Sequence, residues 1–236
     1  MSEFAALIFD VDGTLADTER DGHRLAFNRA FAEAGLDWDW DVDLYGKLLT
    51  VTGGKERIKF YLAEFNRDFP LPDNPDTFIA SLHAAKTEHY KALMAKGRIP
   101  LRPGVENLIR EARSAGVAMA IATTTTMDNV TALLESTLGK GSDQWFAQIG
   151  AGDVVPNKKP APDIYTWVLD RMGLGGNQVI AFEDSGHGVN SAADAGINRI
   201  VVTTNAYTAA QDFSRASVVL DDMAQEPVDL AYLAGL

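Results

Sequence analysis

An unbroken apolar run, Ala6-Leu7-Ile8-Phe9, passes straight into Asp10-Val11-Asp12-Gly13-Thr14. Continuous rather than alternating apolar positions mark a strand covered on both faces, as strands of a parallel sheet are. Between residues 17 and 98 the spacing turns helical and offers no good strand. His23, Ala26, Phe27, Ala30, Phe31 and Ala34 share one helical face, and Gly35 suits a C-terminal cap. A later helix is predicted to start near Thr52, with that residue as its cap, and to run through Ile58, Tyr61, Leu62 and Phe65. Prolines between Asp68 and Asp76 mark a loop, after which a longer helix carries Phe78, Leu82, Ala85, His89 and Leu93. The Trp38-Asp39-Trp40 cluster reads as packing at a helix junction.

Beyond Pro100 and Pro103 the pattern alternates. Helix is expected over Val105–Ala115, strand over Val117–Ala122 and helix from Asp128. A short strand near Phe146–Gly150, a helix over Ile164–Met172 and a strand over Val179–Phe182 follow. A helix then runs to Gly196, before strands at Ile200–Thr203 and Val218–Leu220. Strands alternating with helices predict an α/β, doubly wound (Rossmann-like) parallel sheet with right-handed crossovers. The helical stretch is an insertion, giving a core of residues 1–16 and 99–236 and an all-helical cap domain of residues 17–98.

Composition narrows the partners. With 46% hydrophobic and 23% charged residues the chain is ordinary for a soluble globular protein, and its net charge of -12 argues against a nucleic-acid surface. It has no cysteine, which excludes disulfides, thiolate catalysis and sulfur-ligated metal. No apolar stretch approaches the ~20 residues a membrane span needs, and the N-terminus lacks a signal-peptide pattern. The expectation is a cytoplasmic monomer with no membrane partner.

The chemistry falls at the predicted strand ends. Asp10 and Asp12 close the first strand, a run of Thr123, Thr124, Thr125 and Thr126 closes the next, a loop presents Lys158-Lys159, and Glu183-Asp184 closes the fourth. Strand ends of a parallel sheet share one edge, where open α/β sheets place their ligands. Carboxylates, a hydroxyl and an ammonium gathered there suit a Mg2+-bound phosphoryl group. The Asp-x-Asp-Gly segment is not a calcium loop, because Thr14 and Asp21 break that spacing. Gly53-Gly54-Lys55 is not a P-loop, since Leu49 and Glu56 occupy its key positions, and Gly186-His187-Gly188 has Ser191 where a dinucleotide fingerprint needs glycine.

Asp10-Val-Asp12-Gly-Thr14, Thr123, Lys159-Pro-x-Pro-Asp163 and Glu183-Asp184 together resemble the four motifs of the haloacid-dehalogenase superfamily. The insertion after the first motif resembles the cap of its β-phosphoglucomutase-like branch. Within it, Thr52-Gly53-Gly54-Lys55-Glu56-Arg57-Ile58, with His23-Arg24 and the Ala122-Thr123-Thr124-Thr125 run, resembles the CbbY-like phosphatases, which act on xylulose bisphosphate. The resemblance implies that Asp10 is the nucleophile and forms an aspartyl phosphate, while Asp12 serves as acid and base. It implies Mg2+ held by Asp10, the Asp12 main chain and Asp184, supported by Glu183 directly or through water. Thr123, Thr124 and Lys159 would bind the phosphoryl oxygens, Lys159 being preferred to Lys158 because it directly precedes Pro-x-Pro-Asp. Dehalogenation fits poorly, since displacing halide needs neither metal nor protonation of a leaving alkoxide.

Substrate selection is expected from the cap. Gly53 and Gly54 at a helix start, with Lys55 and Arg57 in the same turn, suit a second phosphate. His23 is either a packed core-edge histidine or a contact to substrate hydroxyls. Asp17 and Thr18 lie where the cap departs, and Asp17 is either a substrate contact or a helix N-cap. The expected activity is therefore a Mg2+-dependent sugar-bisphosphate phosphatase. A phosphoglucomutase-type isomerase and a broader sugar monophosphate phosphatase are the nearer alternatives. A receiver-type signalling domain, which needs no cap and no acid/base, is the remote one.

Overall fold

Ala6–Phe9 forms strand β1, and all four side chains are fully buried. The computed structural model describes residues 4–97, 99–224 and 228–236. The chain divides into two compact units, Met1–Asp17 with Pro100–Leu236, and Thr18–Ile99.

In the first unit β1 pairs with β2 (Ala118–Thr123) on one side and β4 (Val179–Glu183) on the other. With β3 (Gln148–Ala151), β5 (Ile200–Thr203) and β6 (Val218–Leu220) they make a six-stranded parallel sheet in the order β3-β2-β1-β4-β5-β6. The sheet is doubly wound as the alternation predicts. Strand order reverses between β1 and β4, and that reversal opens the crevice in which such sheets bind ligands.

The second unit holds α1 (Arg24–Glu33), α2 (Val42–Leu48), α3 (Gly54–Glu64) and α4 (Pro75–Met94). A five-residue π-helix, Glu19–His23, precedes α1. Two boundaries differ from expectation. The cap of α3 is Gly53 rather than Thr52, because a φ of 95° there turns the chain in a way that favours glycine. The proline-rich loop ends before Pro75, which takes the first helical position behind an Asn74 side chain that caps α4. Trp38 and Trp40 are packing residues. Trp40 is fully buried, with Phe27 and Phe31 ring centroids at 4.7 and 4.8 Å, and Asn28 holds its backbone N–H and carbonyl at 2.9 and 3.1 Å.

Among the described residues, α5 (Val105–Ala115), α6 (Met127–Leu138), α7 (Asp163–Met172) and α8 (Gly186–Asp194) cover the sheet. Ala6, Ile8, Ala181 and Val202 on one sheet face pack with Ile164, Tyr165 and Val168 of α7 and Val189 and Ala192 of α8. On β1 the alternate position Phe9 stacks on Phe182 at 4.7 Å. The expected strand over Phe146–Gly150 begins later, at Gln148, because a 3-10 turn over Ser142–Trp145 delays it. Among the described residues no helix is long and apolar enough to cross a membrane.

Candidate active site

The ladder of β1 and β4 places Phe9 opposite Phe182, and the Asp10 N–H extends it by donating to the Phe182 carbonyl at 2.9 Å. Asp10 and Glu183 are thereby delivered side by side at the sheet edge. Asp10 Oδ1 accepts from Lys159 Nζ at 2.7 Å, and Glu183 Oε1 accepts from the same ammonium at 2.6 Å. Lys159 and both carboxylates are buried. Lys158 goes elsewhere, donating to the Gly152 carbonyl at 2.5 Å and to Asp153 Oδ1 at 2.6 Å.

Burial pushes the Asp10 carboxyl up to about 7; the Lys159 charge opposes that rise, and the nearby Glu183 and Asp12 carboxylates add to it. For Lys159 burial favours the neutral amine, but Asp10 and Glu183 outweigh it and hold the ammonium charged above its ordinary range. Tyr165 donates to Glu183 Oε1 at 2.6 Å, and its phenol is held protonated well above the usual range by burial and then by the Glu183 charge.

A divalent cation fits this donor set. Asp10, Glu183 and Asp184 each bring a carboxylate oxygen within 4.8 Å of the others, and all three residues are buried. Among the described residues Glu183 Oε2 is buried without a hydrogen-bond partner, an acceptor a cation would satisfy. Oxygen-only donors select hard cations such as Mg2+.

The loops are cut to the same site. Gly13, at φ +88°, would bring a Cβ within 2.1 Å of Asp184 Oδ2, so only glycine lets the Asp12 turn lie against that carboxylate. A Cβ on Gly188 would lie 1.8 Å from Glu183 Oε2. Gly188→Ala must therefore displace Glu183. The expected result is at least ~10-fold weaker Mg2+ binding by calorimetry with a protein that still melts cooperatively; unchanged binding would show that Glu183 is not needed there.

Asp12 is half-buried on the turn after β1. Thr123 ends β2 buried, its Oγ1 accepting from the Thr125 N–H at 3.3 Å, while Thr124 is half-buried. The rest of the threonine run serves the next helix: Thr125 Oγ1 accepts from Asn129 Nδ2 at 2.9 Å, and Thr126 caps α6. Asp17 is not a helix N-cap; it is exposed, with Oδ1 3.6 Å from Arg102 Nε.

The remaining candidates lie in the second unit. Thr18 is fully buried, and His23 is buried in the π-helix, its Nδ1 2.7 Å from Lys86 Nζ and its ring stacked on Tyr90 at 4.3 Å. Arg57 is buried and donates to the Tyr45 hydroxyl at 2.6 Å and to Glu19 Oε2 at 3.4 Å. Gly53 is buried, while Gly54 and Lys55 are half-buried. A Cβ on Gly53 would meet Glu56 Oε2 at 2.2 Å, so a carboxylate lies beside the start of α3.

Three participants carry little signal of their own in the sequence. Tyr165 looks like one more core position of α7. Asn205 donates to Asp184 Oδ2 at 2.7 Å and lies just past β5, so the strand-end argument applied to β5 would have found it. Arg102, a buried arginine between two prolines, carries no local signal.

A family model for haloacid dehalogenase-like hydrolases matches residues 4–196. The chain belongs to that family. This haloacid dehalogenase-like hydrolase is 47% identical to protein CbbY of Cereibacter sphaeroides, over 98% of this chain and 96% of that one. CbbY from Rhodobacter sphaeroides, solved in complex with phosphate, matches with a TM-score of 0.90 and 45% identity over 98% of this chain and 99% of that chain. A single-residue variant of that CbbY, solved with xylulose-(1,5)-bisphosphate, matches with the same score, 0.90, and 45% identity over the same 98% and 99% of the two chains. The chain is thus an enzyme of this family, a phosphatase, and its metal-fitting carboxylates accord with phosphate esters rather than halides.

Proposed function

We propose that the protein is a Mg2+-dependent phosphatase that hydrolyses a sugar bisphosphate of the xylulose 1,5-bisphosphate type through an aspartyl phosphate on Asp10. The observation that carries the chemistry is the buried Asp10–Lys159–Glu183 contact beside Asp184. The substrate class is supported by the 45%-identical CbbY variant solved with xylulose-(1,5)-bisphosphate.

Asp10 attacks phosphorus in line, the ester P–O bond breaks, and the leaving alkoxide takes a proton from Asp12. Water then attacks the acyl phosphate, Asp12 takes its proton, and the Asp10 carboxylate departs, leaving alcohol and inorganic phosphate. Lys159 supplies fixed positive charge to the transferring oxygens at no reorganisation cost, because its carboxylate contacts already hold it. Thr123 and Thr124 add hydroxyl and backbone donors at the end of β2. Asp10, Glu183, Asp184 and the Asp12 main chain would hold Mg2+, which supplies charge neutralisation to the phosphoryl group. Recognition of the second phosphate and of the sugar is assigned to Gly53, Gly54, Lys55, Arg57 and His23 of the helical unit, with Asp17 and Thr18 at its entry.

The test is phosphate release with Mg2+ from xylulose 1,5-bisphosphate, ribulose 1,5-bisphosphate, xylulose 5-phosphate and β-glucose 1-phosphate. At least ~10-fold preference for the first in kcat/KM is expected, about the discrimination one lost charged contact produces. Conversion of glucose 1-phosphate to the 6-phosphate without net release would make the enzyme a mutase. Slow, indiscriminate release would overturn the substrate assignment.

A further inference from the structure

Asp184 Oδ2 is met by two segments far apart in sequence. Against it lies Gly13, whose missing Cβ would fall 2.1 Å from Oδ2. Beside Gly13, Asn205 donates to that same Oδ2 at 2.7 Å, its amide nitrogen 2.9 Å from where the Gly13 Cβ would be. Neither segment belongs to the strand that leads into Asp184, so the position of Oδ2 depends on how the two are held against each other.

One guanidinium ties the two together. Arg102 Nη1 donates to the Gly13 carbonyl and, at 3.2 Å, to Thr203 O. Its Nη2 donates to Thr204 O at 2.6 Å and Asp221 O at 2.8 Å. Thr204 directly precedes Asn205, so the plane of one side chain fixes both neighbours of Asp184 Oδ2. Arg102 is itself buried, and its own N–H donates to the Leu15 carbonyl at 2.8 Å. An ammonium in its place has fewer donors and no plane, and could not hold carbonyls of three segments at set distances.

We propose that Arg102 is a positioning residue for Asp184, acting through its neighbours Gly13 and Asn205 to tune affinity for the divalent cation. This rests on the reading of Asp184 as a cation ligand. Residues that orient a metal's ligands without touching it commonly control its affinity by about 10–100-fold. Their separate losses are not additive when they act through one group.

The experiment is calorimetric titration of Mg2+ into the intact protein, Arg102→Lys, Asn205→Ala, the double variant, and Arg113→Lys as a surface control, each with a thermal melt. Expected are roughly 10–100-fold weaker Mg2+ binding in each single variant, a double variant little worse than Arg102→Lys, and native affinity in the control. A folded Arg102→Lys with native affinity overturns the inference, even if it melts lower, because a purely structural arginine would behave that way. If Arg102→Lys does not fold, Asn205→Ala decides alone, and native affinity there overturns it. No Mg2+ binding by the native protein would overturn the cation reading itself and this inference with it. A cation bound natively but indifferent to both variants would sink only the inference.

Discussion

Asp10→Asn is expected to abolish turnover, by about 10^4-fold or more, while leaving a folded and somewhat more stable protein. The amide cannot attack phosphorus, so phosphate incorporated into the protein should vanish together with release. The stability effect has a definite sign. Burial raises the folded-state pKa of Asp10 to about 7, against about 4 in the unfolded chain. Between those values the native state holds the extra proton, so metal-free stability falls as pH rises across that window. Asparagine has no proton to lose, and this part of the pH dependence should disappear. Melts of metal-free protein at pH 5 and pH 8 measure it: the native protein should lose more stability than the variant. Equal losses would refute the raised pKa of Asp10, and residual turnover above ~1% of native would remove it from its role as nucleophile. The same reasoning predicts that Mg2+ stabilises the native protein more at pH 8 than at pH 5, because the cation competes with a proton for that carboxylate.

Lys159→Met should be the most destabilising change at the site. It leaves Asp10 and Glu183 buried without the ammonium that now lies 2.7 and 2.6 Å from them. Breaking a buried ion pair by deleting one partner costs about 3–5 kcal/mol, because the remaining charge keeps its desolvation penalty. Tyr165 still donates to Glu183, which limits the loss on that side. Asp10, already protonated in the folded state below about 7, keeps its proton to higher pH once the ammonium is gone, so the loss should be small near pH 5 and grow as pH rises through 7. Turnover should fall at least ~10^2-fold, the usual loss on removing one preorganised donor to the developing charge. Urea unfolding at the two pH values tests the first claim and phosphate release the second. A destabilisation that does not depend on pH would show that the ammonium is a packing group.

What the sequence reveals follows from how local each cause is. The strand Ala6–Phe9 is legible because four apolar side chains in a row suit a strand covered on both faces, and all four are buried. The helix over Val105–Ala115 is legible because Val105, Leu108, Ile109 and Ala112 repeat at one face. The parallel sheet follows from alternation, and from it follow the strand ends that gather Asp10, Thr123, Glu183 and Asp184 at one edge. Errors of a residue or two, at Gly53, Pro75 and Gln148, arise where a single φ angle, a cap or a short turn decides the boundary. Lys158 and Lys159 are alike by composition. Only the turn at Gly152-Asp153 and the Asp10 carboxylate, which claim one each, tell them apart. Arg102 is illegible for a deeper reason. Its acceptors are carbonyls of Gly13, Thr203, Thr204 and Asp221, which every residue possesses, so nothing in their side chains announces the contact.

Ala16 and Leu101 are bridged as antiparallel neighbours, and the Arg102 N–H is bonded to the Leu15 carbonyl at 2.8 Å. The two ends of the helical insertion therefore meet inside the sheet-bearing unit and are clasped there by that unit's own hydrogen bonds. Closing a longer excursion between clasped ends costs only slowly more with length, about 0.6 kcal/mol for each doubling. The junction thus decouples the two ends from what lies between them: a change in the length of the inserted segment puts little strain on the strands that carry the carboxylates. On the reading proposed above, in which the helical unit recognises the substrate, specificity would change by exchange of one cassette while the hydrolytic machinery stays as it is.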